Sequence, residues 1–122
     1  MDNQILDLAY RIVHYIDEKQ GEDITLLDLS RITSICDYFI IASAKSTRQV
    51  KAIINEVEDR LAKDQVFFAH KEGYDMGRWV LLDYGDIIVH VFHEEDRAFY
   101  NIEKIWKDAA TINIDKIVNS NI

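Results

Sequence analysis

The segment WVLLDYGDIIVHVF, Trp79 to Phe92, leaves a chain few ways to fold. Two apolar runs, each long enough for a strand, flank a turn with one glycine and two acids, Asp83 and Asp86. Such a pattern closes as an antiparallel hairpin. With Tyr84-Gly85 as a two-residue turn, Gly85 supplies the positive φ that the turn needs. Asp83 then stands opposite Asp86, Leu82 opposite Ile87, Leu81 opposite Ile88, Val80 opposite Val89 and Trp79 opposite His90. One face, Val80, Leu82, Ile87, Val89 and Val91, is wholly apolar and belongs to a core. The other, Trp79, Leu81, Asp83, Asp86, Ile88, His90 and Phe92, is apolar at one end and acidic at the other. Either a helix of the same chain covers that second face, as is usual in α/β sheets, or a partner does.

Helical and strand periods alternate through the rest of the chain. Ile5, Leu8, Ala9, Ile12, Val13 and Ile16 predict a first helix, capped by Asn3 or Asp2. DITLLDL and the apolar run DYFIIASA predict two strands, with SRITSIC as a loop or one helical turn between them. Ser46 and Gln49 stand three apart as a capping box, ahead of the apolar stripe Val50, Ile53, Ile54, Val57 and Leu61. VFFAH predicts a third strand before the hairpin. EEDRAFYNIEKIWKDA predicts a last helix with Phe99, Ile102, Ile105 and Trp106 turned inward. The order is α-β-β-α-β-β-β-α. Helix crossovers beside a tight hairpin imply a small α/β or α+β domain with a mixed sheet of about five strands flanked by helices. The expected division is one domain over residues 1–110 and a C-terminal tail over 111–122 with weak signal, expected to fray.

Composition narrows the function. The net charge of −8 argues against strong direct binding of nucleic acid and suits a basic partner, or solubility alone. Glu72 to Asp96 holds most of that charge: Glu72, Asp75, Asp83, Asp86, Glu94, Glu95 and Asp96 against Arg78. No apolar run approaches the roughly 20 residues of a membrane span, so no membrane role is expected. MDNQILDLAY lacks the pattern of a signal peptide, and the single Cys36 fits a reducing, cytoplasmic setting.

Chemistry finds little support. Asp83 and Asp86 as a metal or acid/base pair lack companion carboxylates or a phosphate-holding loop. ASAKST echoes a phosphate loop, but Ile, Ala and Ser stand where glycines must wrap the phosphates. His90 and His93, three apart on a strand, point to opposite faces. Neither a catalytic residue, a metal nor a cofactor is expected.

The stretches DITLLDL, DYFIIASAKSTRQVKAI and WVLLDYGDIIVHVFHEEDRAFYNIEKIW resemble the ribosomal silencing factor family, also called Iojap, over about residues 1–109. Ala44 departs from it where the family often has glycine, and the tail after Ala110 matches nothing in it. The resemblance implies a nucleotidyltransferase-like fold without the catalytic motif, and no enzymatic activity. It implies binding to a protein of the large ribosomal subunit, the fourteenth of its series. Occupying that site would block joining of the small subunit and repress translation under nutrient limitation. Homodimers away from the ribosome are also implied. The competing class is a nucleotide-handling enzyme on the same fold.

Face pattern and charge place the contact on the hairpin's second face and the start of the last helix. Trp79, Leu81 and Ile88 are the expected apolar anchors. Asp83 and Asp86 would meet lysine or arginine. Tyr84, Arg97 and Tyr100 would form the rim.

Overall fold

The computed structural model describes residues 3–118. Its elements are α1 (Gln4–Glu18), β1 (Glu22–Asp28), β2 (Tyr38–Ala44), α2 (Thr47–Lys63), β3 (His70–Glu72), β4 (Trp79–Asp83), β5 (Ile87–His93), α3 (Glu94–Tyr100), α4 (Ile102–Ile105) and β6 (Ala110–Ile112). The strands form one mixed sheet in the order β3-β4-β5-β2-β1-β6. β2 and β5 run parallel at its centre, and every other pairing is antiparallel.

The expected mixed α/β fold is present, with six strands instead of about five. The sixth comes from the stretch expected to be a tail: β6 pairs Ile112 with Leu26, Thr111 with Leu27 and Ala110 with Asp28. Ile112, Ile114, Ile117 and Val118 then pack on the core instead of fraying. Residues 119–122 and the alternative cap Asp2 lie outside the described residues. The third strand begins at His70, so Phe67 and Phe68 sit exposed in the loop before it.

The two faces of the sheet are covered unequally. On one, α1 and α2 enclose a core of twenty buried residues that includes all five apolar residues of the hairpin's first face. On the other, seven buried residues cluster among the described ones: Leu27, Leu29, Cys36, Phe39, Ile41, Phe92 and Ile102. At about 1.5–3 kcal/mol per large apolar side chain, the helical face dominates stability. That leaves the second face free to be built for something else.

α2 opens as predicted, with Ser46 Oγ accepting from the Gln49 backbone N–H at 3.0 Å. The reciprocal half of the box is missing, because the Gln49 side chain donates to the Lys19 carbonyl at 2.6 Å. The expected single last helix breaks at Asn101, which adopts the left-handed region at φ 48°. Asparagine tolerates that conformation, and the break re-phases the residues after it. Ile102 is buried as expected, while Phe99 before the break and Ile105 after it are 80% and 70% exposed instead of turned inward.

The hairpin turn differs from expectation by one residue. Asp83 pairs with Ile88, Leu82 with Val89, Leu81 with His90, Val80 with Val91 and Trp79 with Phe92. Tyr84 N–H donates to the Ile87 carbonyl at 2.9 Å, so Gly85-Asp86 is the turn. Gly85, with φ 90°, takes the first central position, where a type II′ turn wants glycine. Each residue of β4 therefore meets a partner two further along β5. An even slip preserves both faces, since side chains alternate with period two. It separates Asp83 from Asp86.

Two glycines give a test. A Cβ on Gly85 meets nothing within 4 Å, whereas one on Gly73, φ 80°, would lie 2.1 Å from the Trp79 carbonyl oxygen. Gly85→Ala is expected to cost about 1–2 kcal/mol, the usual left-handed penalty. Gly73→Ala should cost about 3 kcal/mol or more, because backbone must also move. Urea unfolding of both variants measures the difference, and equal losses would contradict this geometry.

Candidate functional site

The second face is organised in rows that the ladders fix. One runs Glu72, Leu81, His90, Ile41, Thr25. The next runs His70, Asp83, Ile88, Phe39, Leu27, Thr111. Ile102 and Trp106 pack over the β2–β1 part, with the Trp106 ring 5.7 Å from Phe39. Trp79, Leu81, Asp83 and Ile88 remain half-buried. The face is thus closed by its own chain on one side and open on the β4 side.

Trp79 sits at the centre of an aromatic group. Its ring stacks on Phe92 at 4.9 Å and 26°, and lies 4.9 Å from Tyr100, which is 48% exposed. Phe99 adjoins Tyr100 edge-on at 5.1 Å. The expected anchors Trp79, Leu81 and Ile88 and the rim residue Tyr100 therefore share one surface. Phe99 extends it, although an unbroken helical period turns it inward. Ile105, also exposed, follows Asn101, a residue able to interrupt the helix and shift its phase.

Two expected rim residues lie elsewhere. Tyr84 continues the alternation of Val80 and Leu82, so it packs against the α1–α2 core. Burial pushes its phenol well above the usual tyrosine range, with the Glu58 carboxylate adding to the effect. Arg97 turns inward, its side chain only 12% exposed. It donates to the Asp23 carbonyl at 2.6 Å, Ser43 Oγ at 2.8 Å, Thr25 Oγ1 at 3.2 Å and Glu103 Oε2 at 2.9 Å. Those bonds bolt α3 and α4 onto β1 and β2, and a guanidinium with this many partners has few donors left for another molecule.

The charge is also arranged differently from its order in sequence. Asp96 and Glu95 are occupied by Arg78, at 2.5 Å and 3.5 Å, and Arg78 holds the Asp96 carboxyl below its ordinary range. Asp83 and Asp86 are instead joined by two acids from outside the segment. Asp28 ends β1 and Asp37 directly precedes β2, so four aspartates lie along the same rim of β4, β5, β2 and β1, with Asp28, the partner of Tyr38, on the helical side. Asp83 Oδ1 also accepts from Gly85 N–H at 2.7 Å, bracing the turn. Cys36 lies buried beside this rim. Its thiol is pushed up to about 11, by burial first and then by Asp37, Asp83 and Asp86, which disfavours a reactive thiolate.

The features that suggested chemistry have other employment. In the turn before α2, Lys45 reaches Glu22 at 3.7 Å while Ser46 and Gln49 bond within the fold. His93 caps α3, its Nδ1 accepting from Glu95 N–H at 3.2 Å. Among the described residues, no group of three or more His, Cys, Asp or Glu is placed to hold a metal ion. No helix among them is long and apolar enough to cross a membrane.

His90, 4% exposed, lies beside Leu81 in the ladder and accepts the Trp79 indole N–H on Nδ1 at 3.1 Å. Burial lowers its pKa from 6.5 to about 4. The unfolded chain therefore takes up a proton that the folded chain refuses between those values. The associated stability is complete above pH 6.5 and is lost as pH falls toward 4. At pH 5 the loss relative to pH 7 should be on the order of 2 kcal/mol. Urea unfolding at both pH values, on this chain and on His90→Phe, should assign that increment to His90; an unchanged pH dependence in the variant would refute it.

The family model described as "Ribosomal silencing factor during starvation" matches residues 2–121, so the stretch after Ala110, where no resemblance was expected, belongs to the match. The chain is 39% identical over 120 residues to the ribosomal silencing factor of Halalkalibacterium halodurans, covering 98% of this chain and 100% of that protein. It is 43% identical over 99 residues to the one from Bacillus subtilis, covering 81% and 84%. A crystal structure of a Chromobacterium violaceum protein superposes with a TM-score of 0.81 at 36% identity, covering 88% of each chain.

Proposed function

This chain belongs to the ribosomal silencing factor family, and from that premise we propose that it binds the large ribosomal subunit and sterically blocks joining of the small one. The contact is a basic protein of that subunit, the fourteenth of its series, and the outcome is repressed translation under nutrient limitation. Binding energy alone does the work, and no catalytic step is involved. The protein acts in the cytoplasm and pairs with a second copy when free of the ribosome.

One observation carries this reading: the half-open second face, where Trp79, Leu81, Ile88, Tyr100 and Phe99 are grouped and Asp37, Asp83 and Asp86 line one end. An aromatic centre bordered by charge has the anatomy of a protein interface, where a few Trp and Tyr side chains supply most of the energy. Ribosomal proteins are typically basic, so the rim has a natural complement that speeds encounter and sets orientation. Arg97 and Tyr84 contribute from inside the fold, the first by holding α3 and α4 in place.

Trp79→Ala should weaken binding to purified large subunits about 30-fold or more, the loss of a 2 kcal/mol hot spot. Co-sedimentation measures it, and undiminished binding would remove Trp79 from the contact. Asp83→Asn combined with Asp86→Asn keeps the turn and removes two charges. It should slow association several-fold at low salt and have little effect at high salt. A rate independent of these charges at every ionic strength would detach the rim from recognition.

A further inference from the structure

The buried His90 has no place in the contact itself, yet every neighbour it has belongs to that face. Its Nδ1 lies 3.1 Å from Trp79 Nε1. An indole nitrogen can only donate, so Nδ1 is the acceptor and the imidazole is neutral with its proton on Nε2. The ring is held by Phe39, edge-on at 4.6 Å, and by Phe92, near-parallel at 6.3 Å. In the ladders it sits between Leu81 and Ile41. Its Nε2 is buried with no hydrogen-bond partner among the described residues. An apolar side chain would fill this space without that cost. A histidine here is explained by what its other nitrogen does.

We propose that His90 is a positioning residue for Trp79: the bond from Trp79 Nε1–H to His90 Nδ1 fixes the indole on Phe92 before any partner arrives. The proposal rests on the reading that Trp79 is a contact residue. A tryptophan held by stacking alone can slide or flip on its support. The bond to a fixed imidazole selects one orientation, with the remaining indole surface and Tyr100 facing outward. The ordering of a large side chain is then complete in the free protein and is not charged to binding.

The test compares His90→Phe, which keeps an aromatic ring and removes the acceptor, with His90→Asn, whose Oδ1 can stand where Nδ1 was. The Trp79 indole N–H resonance, identified with Trp79→Phe, reports the bond directly. In His90→Phe that resonance should move to the position of a free indole, and affinity for large subunits should fall about two- to tenfold. His90→Asn should restore both. An indole resonance unmoved in His90→Phe would overturn the proposal, as would a moved resonance with unchanged affinity. Nitrogen NMR of the unaltered protein keeps the idea testable if His90→Phe does not fold: a protonated Nδ1 would also overturn it. Full binding by Trp79→Ala would instead defeat the contact reading beneath it, while the indole resonance would still report whether the bond exists.

Discussion

The parallel ladder between β2 and β5 is the constraint on which the rest depends. It joins two antiparallel units, β3-β4-β5 and β2-β1-β6, into one sheet. Its seven pairs, from Tyr38 with Ile87 to Ala44 with His93, align the rows on both faces. On the helical face it brings Ile40 and Ala42 beside Val89 and Val91 under α1 and α2. On the other it puts Phe39 beside Ile88, Ile41 beside His90 and Ser43 beside Phe92. β2 is buried along its whole length and on both faces, so its register is held by packing against the core on each side.

That register determines which part of the second face stays open. Ser43 and Thr25 present hydroxyls there, and Arg97 takes both while closing on the Asp23 carbonyl and Glu103. α3 and α4 are thereby tied to β1 and β2, while Tyr100 at the end of α3 reaches Trp79 at the start of β4. The cover ends near Trp79, whose surroundings carry the exposed apolar groups of the last helices. The same parallel alignment brings the beginnings of β2 and β5 to one end, which is why Asp37 and Asp86 are neighbours there. The Asp37 N–H donates to the Asp86 carbonyl at 2.8 Å. Apolar surface and acidic rim are consequences of one topology, although they come from distant parts of the chain.

The two faces of the hairpin were legible in the sequence because alternation survives any even slip. The turn was not, because glycine suits either Tyr84-Gly85 or Gly85-Asp86, and only the register with β2 and β3 decides. Arg97 looked like a rim residue because its acceptors lie far back in the chain, at Asp23, Thr25 and Ser43. The helix break at Asn101 and the short strand at Ala110–Ile112 were also hidden. One depends on a single left-handed residue, and the other is three residues long with its stability supplied by β1. Apolar pattern is a local property and could be read locally; the pairing of polar groups far apart in the chain could not.

The central claim is that the open β4 side of the second face meets the large ribosomal subunit. Side-chain oxidation footprinting of this protein, free and bound to large subunits, tests it most directly. Bound protein should show Trp79, Phe99 and Tyr100 strongly protected, while Tyr10 and Tyr74, on the α1–α2 side, react as in the free chain. Protection centred on Tyr10 and Tyr74 with Trp79 and Tyr100 still reactive would contradict the account.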